Sequence, residues 1–287
     1  MPDCSFLMDA LGAALPFDWL RPHFMRQALL GLLLLAPVTA VMGTQVVNLR
    51  MAFFADAISH SVFAGVAIGL IFSWDPHWSM VGLALLIGLG VTFCQRRVGL
   101  SADSVIGVFF SGVVAFGLAM ASRDRQVARS AQSFLYGDVL TLGNMEIWLL
   151  LAALVLVMAF QFAGYNRILY LGLNPTLAAT HGVEVRTCQY LFAGLLSLTA
   201  VLAVWTVGVF LVTALLVLPA AAARNLSRSA GGMFWWALLI SLLAAVSGLG
   251  LSAQSWLGTA TGPTVVLVAF ACFMLSLPFA RRGAKMQ

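Results

Sequence analysis

The chain has 287 residues, 62% of them hydrophobic and 9% charged, with a mean hydropathy of +1.00. A soluble domain carries about 25% charged residues, so this composition belongs to a bilayer and excludes a separate water-soluble domain. The net charge of +5 comes from basic residues set singly or in pairs between apolar runs. That is the pattern of topology-setting charges and it excludes a nucleic-acid patch.

Residues 1–24 carry Asp3 and Asp9 where a secretory signal would be basic. They read as an amphipathic segment on the membrane surface, anchored by Phe17 and Trp19. A single transmembrane domain is predicted over 25–280. Its nine candidate spans are roughly 25–47, 52–72, 77–94, 104–122, 145–163, 187–204, 207–223, 233–252 and 263–279. Eight spans is the alternative, because almost nothing separates the two runs around "LAVWTVGVF". A short basic tail, 281–287, follows.

Loop charges set the predicted orientation. With the N-terminus outside and the C-terminus in the cytoplasm, ten basic residues lie inside: Arg50, Arg96, Arg97, Arg167, Arg186, Arg224, Arg228, Arg281, Arg282 and Lys285. Five lie outside: Arg21, Arg26, Arg123, Arg125 and Arg129. The outer loop "SRDRQVARSAQ" runs against the trend.

Four cysteines, Cys4, Cys94, Cys188 and Cys272, are scattered without a CxxC spacing and read as small packing residues. His23 and His77 fall near outer span ends and His181 in a cytoplasmic loop; all three read as surface histidines. "SWDPHW" reads as part of an aromatic belt, with a metal entry point as the other reading.

The second span holds the one carboxylate placed deep in any predicted span, within "ADAISHSVFAGVAIG". Asp56 and His60 stand at i and i+4, on one helix face. Ala64 and Ala67 follow on that face and are small enough to leave room beside the pair. Ser61, Gly65 and Gly69 form a small-xxx-small ridge, ordinarily a packing surface. A carboxylate at bilayer depth costs about 2.5–3.5 kcal/mol on the insertion scale, which marks a functional site facing the bundle interior. The other reading is a buried structural ion pair, for which Arg50 is also a candidate partner of Asp56, or a helix-end residue that reaches the headgroups. One carboxylate and one imidazole suit zinc, manganese or ferrous iron, or a proton relay. Zinc takes four ligands, so a two-fold homodimer with this helix on its axis would complete a set of two Asp and two His.

The chain has a single lysine, Lys285, so the G-x-x-x-x-G-K-[ST] phosphate loop is absent. The chain is predicted not to be an enzyme, and ATP, where it drives transport, binds another polypeptide. In "YLGLNPTLAATHGVEVRT", Asn174 reads as an N-cap, Pro175 as the first helical residue and Gly182 as the stop. Between them lies a helix of about two turns, too short to span and suited to docking a partner through residues such as Leu177.

These stretches, with "FLVTALLVLPAAAA" and the looser "SAQSWLGTATGPTVVL", resemble the membrane subunits of bacterial zinc/manganese-type ABC importers over roughly 25–280. The resemblance implies an all-α type II importer permease, of the architecture shared with cobalamin importers, in the bacterial inner membrane. It implies a homodimer working with a cytoplasmic ATP-binding subunit and a periplasmic metal-binding protein. No cofactor is held permanently; the metal, Zn2+ ahead of Mn2+ or Fe2+, is cargo. Asp56 and His60 match the pair that contacts it. The segment at about 172–184, with Asn174, Pro175, Leu177, His181 and Gly182, matches the coupling segment that docks on the ATPase. Asn174 stands where the family usually has an acid, and His181 and a missing Ser-Tyr pair near Ala253 are further departures. A proton-coupled secondary transporter and an ABC permease for a metal chelate such as cobalamin or a siderophore are the alternatives.

Overall fold

A computed structural model describes residues 18–98, 100–123, 139–254 and 256–280. Most of the expected amphipathic segment, the basic tail, Cys4, Asp138 and the arginine loop beyond Arg123 lie outside the described residues.

Ten α-helices account for nearly all of what is described. They are α1 (His23–Asn48), α2 (Ala52–Ile71), α3 (Pro76–Arg97), α4 (Ala102–Ala121), α5 (Asn144–Leu173), α6 (Pro175–Thr180), α7 (Val185–Val207), α8 (Val209–Leu226), α9 (Ala230–Ser252) and α10 (Thr261–Ser276). All except α6 are long and apolar enough to cross a membrane, α10 together with the 3-10 turn Leu277–Phe279 that extends it, giving nine such helices among the described residues. α7 and α8 are separate helices with Gly208 alone between them. Gly208 has φ +86 and ψ 162, a conformation open essentially only to glycine. Large apolar side chains face outward, among them Phe162 at 86% exposure and Trp78 at 77%. That suits lipid, where every backbone group is satisfied within its helix.

One difference from the expected spans is large. The fifth was predicted over 145–163, but α5 runs from Asn144 to Leu173, about 45 Å at 1.5 Å per residue. Asn166 and Arg167 interrupt the apolar run yet do not stop a helix. Arg167 is therefore an exposed helical residue and not a loop residue.

The described residues form two compact units. One contains the first part of α1, the start of α5, most of α8, and α9 and α10. There the alanine strip after Pro219 is a packing surface: Ala220, Ala222 and Ala223 are fully buried. A methyl group at Gly43 would collide with the Leu216 carbonyl, so α1 and α8 touch through their backbones. Pro37 removes one rung of the α1 ladder, and the Thr39 and Ser241 hydroxyls donate to carbonyls beside it, Ser241 to Ala36 at 3.1 Å. Trp19, in a 3-10 turn (Asp18–Leu20), lies against Gly250 of α9.

The other unit contains the end of α1, then α2, α3, α4, the second half of α5, α6 and α7. α2 packs on α3, α4 and α7. Its Ser61/Gly65/Gly69 ridge is a packing surface: a methyl on Gly65 would lie 2.5 Å from the Met80 Cα of α3. The Ser79 hydroxyl donates to the Gly65 carbonyl at 2.7 Å, a hydrogen bond that the close approach permits. Gln45 of α1 and Gln161 of α5 are buried and joined through an Nε2 to Oε1 hydrogen bond of 3.2 Å.

Candidate functional site

α2 follows a tight connection in which Arg50 takes φ +56, and the helix starts without a side-chain cap. Asp56 is one turn in and His60 is near the middle. Within 54–67 these two are the residues that are not buried. Their side chains are 38% and 27% exposed, and the His60 Nε2 lies 3.7 Å from the Asp56 Oδ1. Phe110 of α4 meets the imidazole edge-on, with ring centroids 5.3 Å apart, and fixes its tilt. Beside His60, Ser59 is fully buried, with no partner for its hydroxyl among the described residues.

The 3.7 Å gap is too long for a hydrogen bond. Two ligands about 2.0–2.1 Å from one zinc at a tetrahedral angle stand about 3.3–3.4 Å apart. The observed separation is thus within a few tenths of an ångström of that span. Among the described residues no group of three or more His, Cys, Asp or Glu gathers, so this stretch offers two ligands and not four.

Two local expectations are corrected. Ala67 leaves no room, being 0% exposed, whereas Ala64, though buried, lines an apolar cavity of about 380 Å³ walled by Leu83 and Ile87 of α3 and Val108, Phe109 and Phe116 of α4. α4 closes over Ala64, where a methyl on Gly117 would stand 3.2 Å from its Cα. Asp56 and His60 are themselves partly exposed. No Arg50–Asp56 ion pair forms among the described residues; Arg50 is exposed, and the ionisable side chain facing Asp56 is His60. Asp103 and Glu146 sit in first helical turns, as expected, and Glu146 accepts from the Gly143 amide at 3.0 Å.

At the far end of α2, Asp75 caps α3, accepting the His77 amide at 2.9 Å and contacting its Nδ1 at 2.8 Å. These bonds, the amide foremost, hold the Asp75 carboxyl below its ordinary range. The His77 ring lies on Trp205 at 4.1 Å, and Trp74 and Trp78 are exposed beside it. The His77–Trp205 contact and the exposed Trp74 and Trp78 suit an interfacial aromatic belt.

The capped segment forms as its sequence predicts. Asn174 accepts from the Thr176 amide at 2.8 Å, Pro175 opens α6, and Gly182 takes φ +73. The Val183 amide donates to Ala178 at 3.0 Å and the Gly182 amide to Ala179 at 3.1 Å, the two bonds of a Schellman stop. Ala178 is buried against α7, while Leu177 is 43% exposed. His181, the last residue before the stop, stacks on Tyr170 of α5 with centroids 5.0 Å apart and planes 17° apart. Phe110 and Tyr170 escaped the sequence reading because no local spacing signals a contact made between helices.

Nine helices long and apolar enough to span among the described residues, together with a capped helix too short to span, are the architecture of a polytopic membrane protein. The ABC 3 transport family model matches residues 21–280, and the chain belongs to that family. It is similar to the high-affinity zinc uptake system membrane protein ZnuB of Haemophilus influenzae, at 30% identity over 250 residues, covering 87% of this chain and 95% of the relative. It is also similar to the manganese transport system membrane protein MntC of Listeria innocua, at 30% identity over 258 residues, covering 90% and 91%. Among solved structures, PsaBC from Streptococcus pneumoniae in complex with Fab superposes with a TM-score of 0.75 at 24% identity, covering 96% of this chain and 95% of that one. That likeness bears on the fold alone.

Proposed function

We propose that the chain is the permease of an ATP-driven importer that carries a divalent transition metal, zinc ahead of manganese or iron, across the bacterial inner membrane. It works as a homodimer with a separate ATPase and a periplasmic metal-binding protein, its N-terminus outside and its C-terminus in the cytoplasm. The observation that carries this reading is the half-open Asp56–His60 pair inside a span. A carboxylate at that depth is costly unless something offsets it, and a passing dication does so. The relatives named for zinc and for manganese support a metal cargo and divide on which metal. Two chains supply two oxygens and two nitrogens, a set that zinc accepts as a tetrahedron and that is poor in oxygen for manganese. A small shift of α2 separates the ligands and releases the ion, as a transport site requires. The exposed Leu177 on a capped helix supports docking of the ATPase at α6. With one lysine, Lys285, the chain has no phosphate-binding loop of its own.

The test is uptake by proteoliposomes holding the assembled complex and its binding protein. ATP is expected to drive zinc uptake, with manganese and ferrous iron assayed in parallel. Uptake of cobalamin or a ferric chelate with no free-metal uptake would overturn the reading, as would metal uptake that follows a proton gradient without ATP.

A further inference from the structure

α5 and α6 meet at one residue. Asn174, with φ −163 and ψ 122, is the sole non-helical residue between Leu173 and Pro175. α6 has six residues, of which Ala178 alone is buried. α6 is thus joined to α5 through the single residue Asn174, and it also packs on α7. Beyond the covalent joint, the ring stack of His181 on Tyr170 also ties α6 to α5. Tyr170 lies in the last turn of α5 and His181 at the far end of α6, so joint and stack bracket the whole short helix. His181 is in turn held by its own helix. Its Nδ1 lies 2.9 Å from the Leu177 carbonyl, which also accepts the His181 amide at 3.2 Å and the Thr180 hydroxyl at 2.8 Å. The contact between the Nδ1 and the Leu177 carbonyl restrains the ring.

The braced end of α5 is well connected. A methyl at Gly172 would stand 3.3 Å from the Asn48 carbonyl, at the end of α1. One turn back along α1, Gln45 is hydrogen-bonded to Gln161 of α5. After three intervening residues, 49–51, α2 begins at Ala52 and leads to Asp56.

We propose that His181 is a positioning residue for transport: its stack on Tyr170 stiffens the Asn174 joint, so that a displacement of α6 moves the end of α5 instead of being absorbed at the joint. The proposal rests on the reading of α6 as the ATPase-docking helix. In that setting the brace sets how much metal moves per ATP hydrolysed. An aromatic pair biases a two-state equilibrium by about two- to tenfold, and that is the size of the effect.

The experiment measures zinc taken up per ATP hydrolysed by the assembled complex in proteoliposomes. His181→Ala is expected to lower the ratio by about two- to tenfold. His181→Phe, which keeps a ring over Tyr170 but not the Nδ1 bond, is expected to restore it to within about twofold of wild type. His181→Asn keeps a donor for the Leu177 carbonyl without the ring and is expected to stay low. Tyr170→Leu removes the other half of the stack and is expected to match His181→Ala, with no further loss in the double variant. It also gives the same reading should His181→Ala fail to assemble. A wild-type ratio in His181→Ala or Tyr170→Leu overturns the brace, and so does a low ratio in His181→Phe. Leu177→Asp separates the two readings. If the permease with that change still co-purifies with its ATPase and transports normally, the docking reading fails and the brace falls with it. If Leu177→Asp breaks the complex while His181→Ala keeps a wild-type ratio, the brace alone fails.

Discussion

The two faces of α2 obey opposite rules. On one, Gly65 and Gly69 let α3 approach until backbone meets backbone, and Ser79 donates to the Gly65 carbonyl. On the other, Asp56 and His60 stay half open in a helix otherwise closed from Phe54 to Ala67. The first face is optimised for stability. The second keeps a group that lipid penalises and leaves it without a hydrogen bond to its neighbour. A local rule broken without a structural gain is a mark of function, and the same helix provides its own reference.

The sharpest way to break this contrast is on the closed face. Gly65→Ala puts a methyl against the Met80 backbone, which cannot give way as a side-chain tip does. The expected loss is about 1–3 kcal/mol, read as a lower thermal midpoint of the purified protein in detergent. At Gly82, on α3, no described atom lies within 4 Å of where a methyl would stand, so Gly82→Ala is expected to leave the midpoint unchanged or slightly raised. Equal losses from both would remove the claim of a close backbone contact. The open face is expected to respond in the reverse sense. Asp56→Asn removes a charge from bilayer depth and should hold or raise the midpoint, whereas a large fall would return Asp56 to a purely structural role.

The smallest effect lies at the end of the helix pair. Asp75 has a folded-state pKa below its unfolded value of about 3.9. Its contribution is therefore present above that unfolded value and is lost as pH falls through the folded one. Asn also caps helices well, so Asp75→Asn should trail wild type only slightly near neutrality. The difference should close as the pH is taken below about 3.9. A gap that widens toward acid would contradict the cap assignment.

How much of this the sequence foretold follows from the range of each signal. Span positions are legible because each is a contiguous apolar run. The ends of α6 are legible because Asn174, Pro175 and Gly182 act within a few residues of where they stand. The Asp56–His60 pair is legible because one helical turn aligns it. The extension of α5 was hidden because Asn166 and Arg167 break the apolar run, although neither disfavours a helix as strongly as Gly or Pro does. The closing of α4 over Ala64 and the rings of Phe110 and Tyr170 were hidden for another reason: each depends on how separate elements pack, which no spacing along one helix encodes.

The most direct test of the central claim is zinc uptake by cells carrying Asp56→Asn, with protein level and membrane assembly matched to wild type. The substitution keeps the size and hydrogen-bonding capacity of the side chain and removes only the charge. Uptake is expected to be abolished while the assembled complex still hydrolyses ATP, with His60→Ala giving the same result. Wild-type uptake in the Asp56→Asn strain would contradict a metal station at this pair.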